Sequence, residues 1–181
     1  SSDLEFLDML TNVDFEKWAH NASFEMAITY FVATRQWGIK IPNFKKWIRQ
    51  WRCSMVQGMA MSLPGTLAEQ GRILGTPIQK QEGGLALIKL FSCPRKPTKK
   101  NPATRVYHFD DETRFDQYKS YNRDDVAAEW ANYRRTGGFP MPAHEWELWH
   151  IDQEINFRGM PIDLDLVDAA LEVHEKVRDL L

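Results

Sequence analysis

The sequence predicts an α/β fold in which helices far outnumber strands. Residues 13–19 have the pattern of an extended segment, and they run through His20 and Asn21 into a helix that begins near Ser23. Most of the other apolar residues recur at helical spacing. Apolar residues make up 43% of the 181 residues, which suffices for one well-buried domain, or for one domain and the start of a second.

The first half of the chain is predicted to contain four helices and one extended segment. Ser23 is predicted to cap the second helix, because serine accepts hydrogen bonds from the free N–H groups of a first turn. Gly38 and Gly75 follow the second and fourth helices, in the place that glycine commonly takes after a helix. The predicted elements are the helices 3–10, 23–35, 51–61 and 67–74 and the extended segment 13–19.

The second half is predicted to be helical on either side of one exposed loop. Residues 94–102 combine three prolines with four cationic side chains, so this stretch has nothing to bury. Pro140 and Pro142, which follow two glycines, mark the best candidate for a domain boundary, between residues 1–138 and 139–181. The predicted helices are 85–91, 111–135, 143–157 and 164–181.

Composition excludes several classes of protein. Cys53 and Cys93 are the only cysteines, and they lack the spacing of a disulfide framework or a zinc site. No apolar run approaches the ~20 residues of a membrane span, and the N-terminus does not resemble a secretion signal. We therefore expect a soluble cytoplasmic protein. The formal charge of −2 gives no overall attraction to nucleic acid, so any DNA contact must be local.

Tyr121 and Asp125 form the first candidate site. They are four residues apart, which on a helix puts both side chains on one face about one turn from each other. Metal-assisted phosphodiester hydrolysis needs carboxylates to hold divalent ions and a group to orient the attacking water, and this pair offers both. Such a pair also occurs by chance on many solvated helix faces, so alone it is weak evidence.

The second candidate site is the junction between the extended segment and the next helix. Glu25 lies in the first turn of that helix, close to the end of the strand, where α/β proteins build their sites. The simpler interpretation is that Asn21 and Ser23 cap the helix and that the helix dipole favours Glu25.

Taken together, the two patterns resemble a known family. His20-Asn21-x-x-Phe24-Glu25 resembles the second motif of proofreading exonucleases of the DnaQ-like, ribonuclease-H-like superfamily, and Tyr121-x-x-x-Asp125 resembles their third. Residues 63–67 and 75–80 resemble the connecting segment of phage and prophage DNA polymerases of family A. Residues 147–163 resemble the stretch that opens their polymerase region. The resemblance covers nearly the whole chain and favours a polymerase over a free-standing exonuclease.

The resemblance implies a ribonuclease-H-like fold and 3′-to-5′ proofreading, in which two Mg²⁺ or Mn²⁺ ions hydrolyse the 3′-terminal nucleotide of single-stranded DNA. Asp125 and Glu25 would be metal ligands, Tyr121 would orient the water, and Asn21 and Phe24 would shape the pocket for the nucleotide. Glu25 stands where most of the superfamily has aspartate. The implied partners are a single-stranded 3′ end and a primer-template, and the implied setting is the cytoplasm of a bacterial host of a phage or prophage.

The first motif of the superfamily, Asp-x-Glu on the first strand, has no counterpart here. Asp3-Leu4-Glu5 is rejected because only fifteen residues separate Glu5 from Asn21, too few for the further strands and helix of that fold. We therefore expect a fragment that lacks the first strands. Its metal site would be incomplete, its nuclease activity alone would be small or absent, and its exposed sheet edge would favour self-association.

Two alternatives remain open at this stage. One is a non-catalytic DNA-binding or interaction module that keeps the exonuclease fold without its chemistry. The other is a stand-alone exonuclease.

Overall fold

The computed structural model describes residues 2–41, 43–77, 84–98 and 102–178, and in the first helix the side chains are described from Glu5 onward. A π-helical stretch spans Ile28–Ala33, and a short 3₁₀ helix spans His108–Asp110. The strands are β1 (Lys17–Ala19) and β2 (Trp51–Cys53). The helices are α1 (Ser2–Thr11), α2 (Ser23–Ala27), α3 (Thr34–Trp37), α4 (Phe44–Arg49), α5 (Ser54–Ala60), α6 (Leu67–Leu74), α7 (Gly84–Ser92), α8 (Glu112–Thr136), α9 (Ala143–Arg158) and α10 (Leu164–Arg178).

The two strands form a small parallel sheet. Trp18 pairs with Arg52, and Ala19 pairs with Cys53. Parallel strands need a crossover connection, and here the connection carries the helices α2, α3 and α4. Over the described residues the chain is mostly helical with this one small sheet, which is compatible with the predicted α/β class. Because the strands are parallel, their carboxyl ends lie at the same edge of the sheet.

The second strand is an element that the sequence prediction missed. Residues 51–61 were expected to form one helix, but the helix α5 begins only at Ser54. Trp51 and Cys53 are buried while Arg52 is half-buried, the alternation of a strand. The prediction failed because Trp51 is also one helical turn from both Trp47 and Ile48, so short-range spacing did not separate a strand from a helix.

The helix that follows β1 runs over residues 23–37 and ends as predicted. Gly38 has the left-handed φ of 65° and terminates it. The predicted cap is wrong, because Ala22 is the N-cap residue and no side chain caps this helix. The Ser23 hydroxyl instead donates a hydrogen bond to Gln153 Oε1 at 2.7 Å, which ties α2 to α9.

The core lies between the sheet and the helices α2, α4 and α9. Met26, Trp47 and Ile48 are completely buried within it. Phe157 of α9 packs against Tyr30, with ring centroids 5.4 Å apart, and it also contacts the rings of α4. This aromatic packing attaches α9 to the N-terminal core. The predicted boundary between residues 138 and 139 stays a prediction.

The helices from α6 onward agree with the sequence prediction, whereas α4 is a helix that the prediction did not include. The helices α6, α7, α8 and α9 each lie within two residues of their predicted bounds. Residues 94–98 and 102 of the predicted loop are exposed, and 99–101 lie outside the described residues, as do 179–181 of the last predicted helix. Both cysteines are free. No helix in the described part of the chain is long and apolar enough to cross a membrane.

Candidate active site

A cavity of about 520 Å³ opens beside the carboxyl ends of the two strands. The turn after β1, the first turn of α2, the 65–67 turn and one face of α8 form its walls. The residues that line it are His20, Asn21, Glu25, Met55, Gly65, Thr66, Leu67, Asn122, Asp125, Val126 and Glu129. Its position matches the edge of a parallel sheet at which α/β proteins build their sites.

The cavity brings together three of the five residues predicted from the sequence. Asn21 and Glu25 come from the turn after β1, and Asp125 comes from the middle of α8, about a hundred residues later. Asn21 has a positive φ of 65°, a conformation that asparagine adopts more readily than most residues. This turn directs the chain from β1 into α2 and so places Glu25 at the cavity.

The other two predicted residues lie outside the cavity. Tyr121 is one turn from Asp125 on α8, but its side chain is only 8% exposed. A Cβ atom built on Gly84 would overlap the Tyr121 ring, so α7 presses directly on that ring. Phe24 is 61% exposed and does not line the cavity. The predicted roles of both residues stay predictions.

Glu129 is a cavity residue that the sequence reasoning missed. Its carboxylate accepts hydrogen bonds from the Ser54 hydroxyl at 3.0 Å and from the backbone N–H of His20. Burial raises the pKa of Glu129, and these two hydrogen bonds partly oppose the rise. Because His20 follows β1 and Ser54 follows β2, Glu129 fastens α8 to the ends of both strands. The available signal was its spacing of four residues from Asp125, on the same face of the helix.

The His20 ring extends this hydrogen-bond network to the 63–67 turn. Its Nε2 lies 3.1 Å from the carbonyl oxygen of Gly65, so Nε2 carries a hydrogen and donates it. Its Nδ1 lies 3.3 Å from the Ser54 hydroxyl. The ring therefore links the turn after β1 to Gly65, and both residues line the cavity.

Glu25 is a carboxylate in an unfavourable environment. Burial raises its pKa, the negative charge of Glu129 raises it further, and only its own backbone N–H lowers it. Among the described residues, no group donates a hydrogen bond to its buried Oε2. A buried carboxylate oxygen in such a position is suited to a cation or to a proton.

The carboxylates of the cavity do not form a complete metal site by themselves. Over the described ranges, no three acidic, histidine or cysteine side chains are close enough together to hold a metal ion. Glu25 and Asp125 supply oxygen atoms, the ligand type that Mg²⁺ and Mn²⁺ prefer.

The sequence of the chain is similar to that of a known protein. No protein-family model and no solved structure matches the chain. The chain is similar to a protein described as a DNA polymerase, from Bacillus phage SP02. It is 37% identical to that protein over 174 residues, which are 95% of this chain and 25% of the phage protein. The chain therefore spans about a quarter of the length of this relative.

Proposed function

We propose that the chain is part of a phage-type DNA polymerase of family A and contains most of its 3′-to-5′ proofreading exonuclease, with a ribonuclease-H-like fold. The observation that carries the proposal is the cavity, which joins Asn21 and Glu25 to Asp125 across about a hundred residues of sequence. The 37% identity to a phage DNA polymerase over nearly the whole chain supports the polymerase assignment.

Divalent metal ions fit the donors of the cavity in their chemistry. Glu25 and Asp125 would hold Mg²⁺ or Mn²⁺, and the buried Oε2 of Glu25 has no competing hydrogen-bond donor among the described residues. Such ions lower the pKa of bound water and neutralise charge on a phosphate. Two carboxylates are fewer than a two-metal site needs, so the proposal includes weak metal binding by this chain alone.

The remaining residues would position the substrate and the carboxylates. Asn21 lines the cavity and can hydrogen-bond to the terminal nucleotide, and the exposed ring of Phe24 can contact its base. Tyr121 would orient the attacking water, which requires its buried hydroxyl to reach the cavity when substrate binds. Glu129 and the His20 ring would hold α8 and the strand ends in the arrangement that brings Glu25 to Asp125.

The C-terminal part of the chain would open the polymerase region. Residues 147–163, which carry the resemblance to that region, form most of α9 and the turn after it. The helix α10 has no buried residues, so its apolar side chains are available to a neighbouring part of a larger protein. A primer-template would then be a partner of that larger protein.

The experiment is degradation of a 5′-labelled single-stranded oligonucleotide in the presence of Mn²⁺. It compares this chain with a form extended upstream along its gene, and with Asp125→Ala and Asp124→Ala variants of the extended form. Asp124 is the matched control, because it is the adjacent aspartate on α8 and does not line the cavity.

The extended wild type should shorten the oligonucleotide from its 3′ end, and Asp125→Ala should reduce the rate at least about 100-fold, the upper range for loss of a supporting residue at a metal site. Asp124→Ala should keep most of the activity. If the extended wild type binds DNA but does not degrade it, the proposed exonuclease activity is wrong, and the chain is better described as part of a non-catalytic DNA-binding module.

A further inference from the structure

The outer face of α8 carries an exposed surface that the exonuclease proposal does not use. A shallow cavity of about 430 Å³ lies there, lined by Pro77, Ala127, Trp130, Ala131, Arg134 and Arg135. Trp130 is 59% exposed, which is unusual for so large an apolar ring. We refer to Trp130, Arg134 and Arg135 as the α8 outer patch.

The Trp130 ring is held in a fixed orientation. It stacks on Tyr133, with centroids 5.4 Å apart and planes inclined by 23°. Tyr133 packs in turn on Trp18 of β1, at 4.7 Å between centroids. The Trp130 ring therefore packs through Tyr133 against Trp18 of the sheet, while more than half of its surface faces solvent. This is the arrangement of a platform on which a base can stack.

The two arginines of the patch have no acidic partner among the described residues. Neither guanidinium forms an ion pair with any residue in the part of the chain that the structure describes. Arg134 lies one turn beyond Trp130 on the same face of α8. Arginines in a last turn also stabilise a helix C-terminus, but that effect needs no exposed tryptophan beside them.

The patch is connected to the candidate active site along α8. Val126 lines the active-site cavity and is 61% exposed. Val126, Trp130 and Arg134 are successive positions of one stripe, four residues or about 6 Å apart along the helix axis. A chain of nucleotides whose end enters the cavity at Val126 would therefore pass Trp130 and then Arg134.

We propose that the α8 outer patch binds single-stranded nucleic acid, with a base stacked on Trp130 and phosphates on Arg134 and Arg135. A flat exposed ring next to guanidinium groups that pair with no acidic side chain in the described ranges matches the alternation of bases and phosphates. Bases expose their faces only when they are unpaired, which favours a single strand over a duplex. The choice of nucleic acid as the ligand rests on the proposed function, whereas the exposure and the contacts of the patch residues do not depend on it.

The test is binding of a 5′-fluorescein oligo-dT to this chain, followed by fluorescence anisotropy in EDTA so that no hydrolysis occurs. Trp130→Ala should weaken binding about 5- to 100-fold, the range measured for loss of one base-stacking ring. Trp37→Ala is the matched control, because Trp37 is also 59% exposed. Arg134→Ala should lower the slope of log K against log salt by about 0.7, whereas the exposed Arg72→Ala should not change it.

Several results would overturn the proposal. The first is absence of binding by the wild type, and the second is equal affinity of Trp130→Ala and Trp37→Ala for the oligonucleotide. The third is a loss of affinity of Trp130→Ala for a duplex of the same length that equals its loss for the single strand. If circular dichroism shows that Trp130→Ala is unfolded, Arg134→Ala decides, and an unchanged salt slope refutes the patch. Because binding is measured without metal, the affinity differences between the variants and their controls would remain even if the chain belonged to no exonuclease.

Discussion

Replacing Glu129 by alanine should destabilise the protein by loosening α8 from the sheet. Glu129 is half-buried, and its carboxylate accepts hydrogen bonds from the Ser54 hydroxyl and the His20 backbone N–H. These donors belong to the residues that follow β2 and β1. Removing the acceptor leaves both donors without their partner and detaches the middle of α8 from both strand ends.

The expected loss can be worked out from these two bonds. Hydrogen bonds to a charged group contribute about 1.5–3 kcal/mol each. Part of this is recovered, because burial raises the pKa of Glu129 and the variant no longer buries that charge. We expect a net loss of about 2 kcal/mol in the free energy of unfolding, which for a chain of this size lowers Tm by about 4–8 °C.

The assay is thermal unfolding at pH 7 followed by circular dichroism. Glu129→Gln keeps an acceptor oxygen for the two donors and should lose about half as much stability as Glu129→Ala. Glu172→Ala is the control, because Glu172 is exposed and forms an ion pair with Lys176, one turn away on α10. Such a pair contributes about 0.5 kcal/mol or less. Unfolding of Glu129→Ala at the same temperature as Glu172→Ala would contradict this role of Glu129.

Three further changes test separate parts of the structure. Burial raises the pKa of Glu25 above its ordinary 4.5, so the folded state holds the proton more tightly than the unfolded state and stability falls as pH rises through the raised pKa. Glu25→Gln should therefore have a higher Tm than the wild type at pH 7.5 in EDTA. This difference in Tm should shrink at pH 4. Gly84→Ala should cost about 1–3 kcal/mol by overlap with the Tyr121 ring, while Gly138→Ala, with open space around it, should cost little in the same thermal melt. Phe157→Ala should cost about 2 kcal/mol in urea unfolding, below the ~3–5 kcal/mol of a fully buried ring, and an unchanged midpoint would contradict the packing of α9 on the core.

Local patterns in the sequence were sufficient to predict most helices. Gly38 and Gly75 both adopt the left-handed conformation that ends a helix, as their positions predicted. The strand at Trp51–Cys53 was missed because a strand of three residues has too little alternation to compete with helical spacing around it. Its identity depends on pairing with β1, a contact between residues more than thirty positions apart.

The candidate site was predictable where a motif carried it and not elsewhere. Asn21, Glu25 and Asp125 were selected by their motifs, and the fold gathers them in one cavity. Glu129 acts by accepting a hydrogen bond from Ser54, and the His20 ring acts by donating one to the Gly65 carbonyl. Both bonds depend on how segments distant in the sequence lie beside the strand ends. Sequence spacing placed Glu129 on the right face of α8 but contained no information about its partners.

Paramagnetic broadening of backbone amide signals during titration of this chain with Mn²⁺ shows directly whether the cavity binds the metal ion. The amides of His20, Asn21, Glu25 and Asp125 should broaden first, and Asp125→Ala should abolish this selectivity while Asp124→Ala preserves it. Weak binding does not obscure the result, because broadening reports on the site even at low occupancy. Broadening that begins at exposed acidic residues of α10, with the cavity amides unaffected, would contradict the assignment of this cavity as the metal-dependent site.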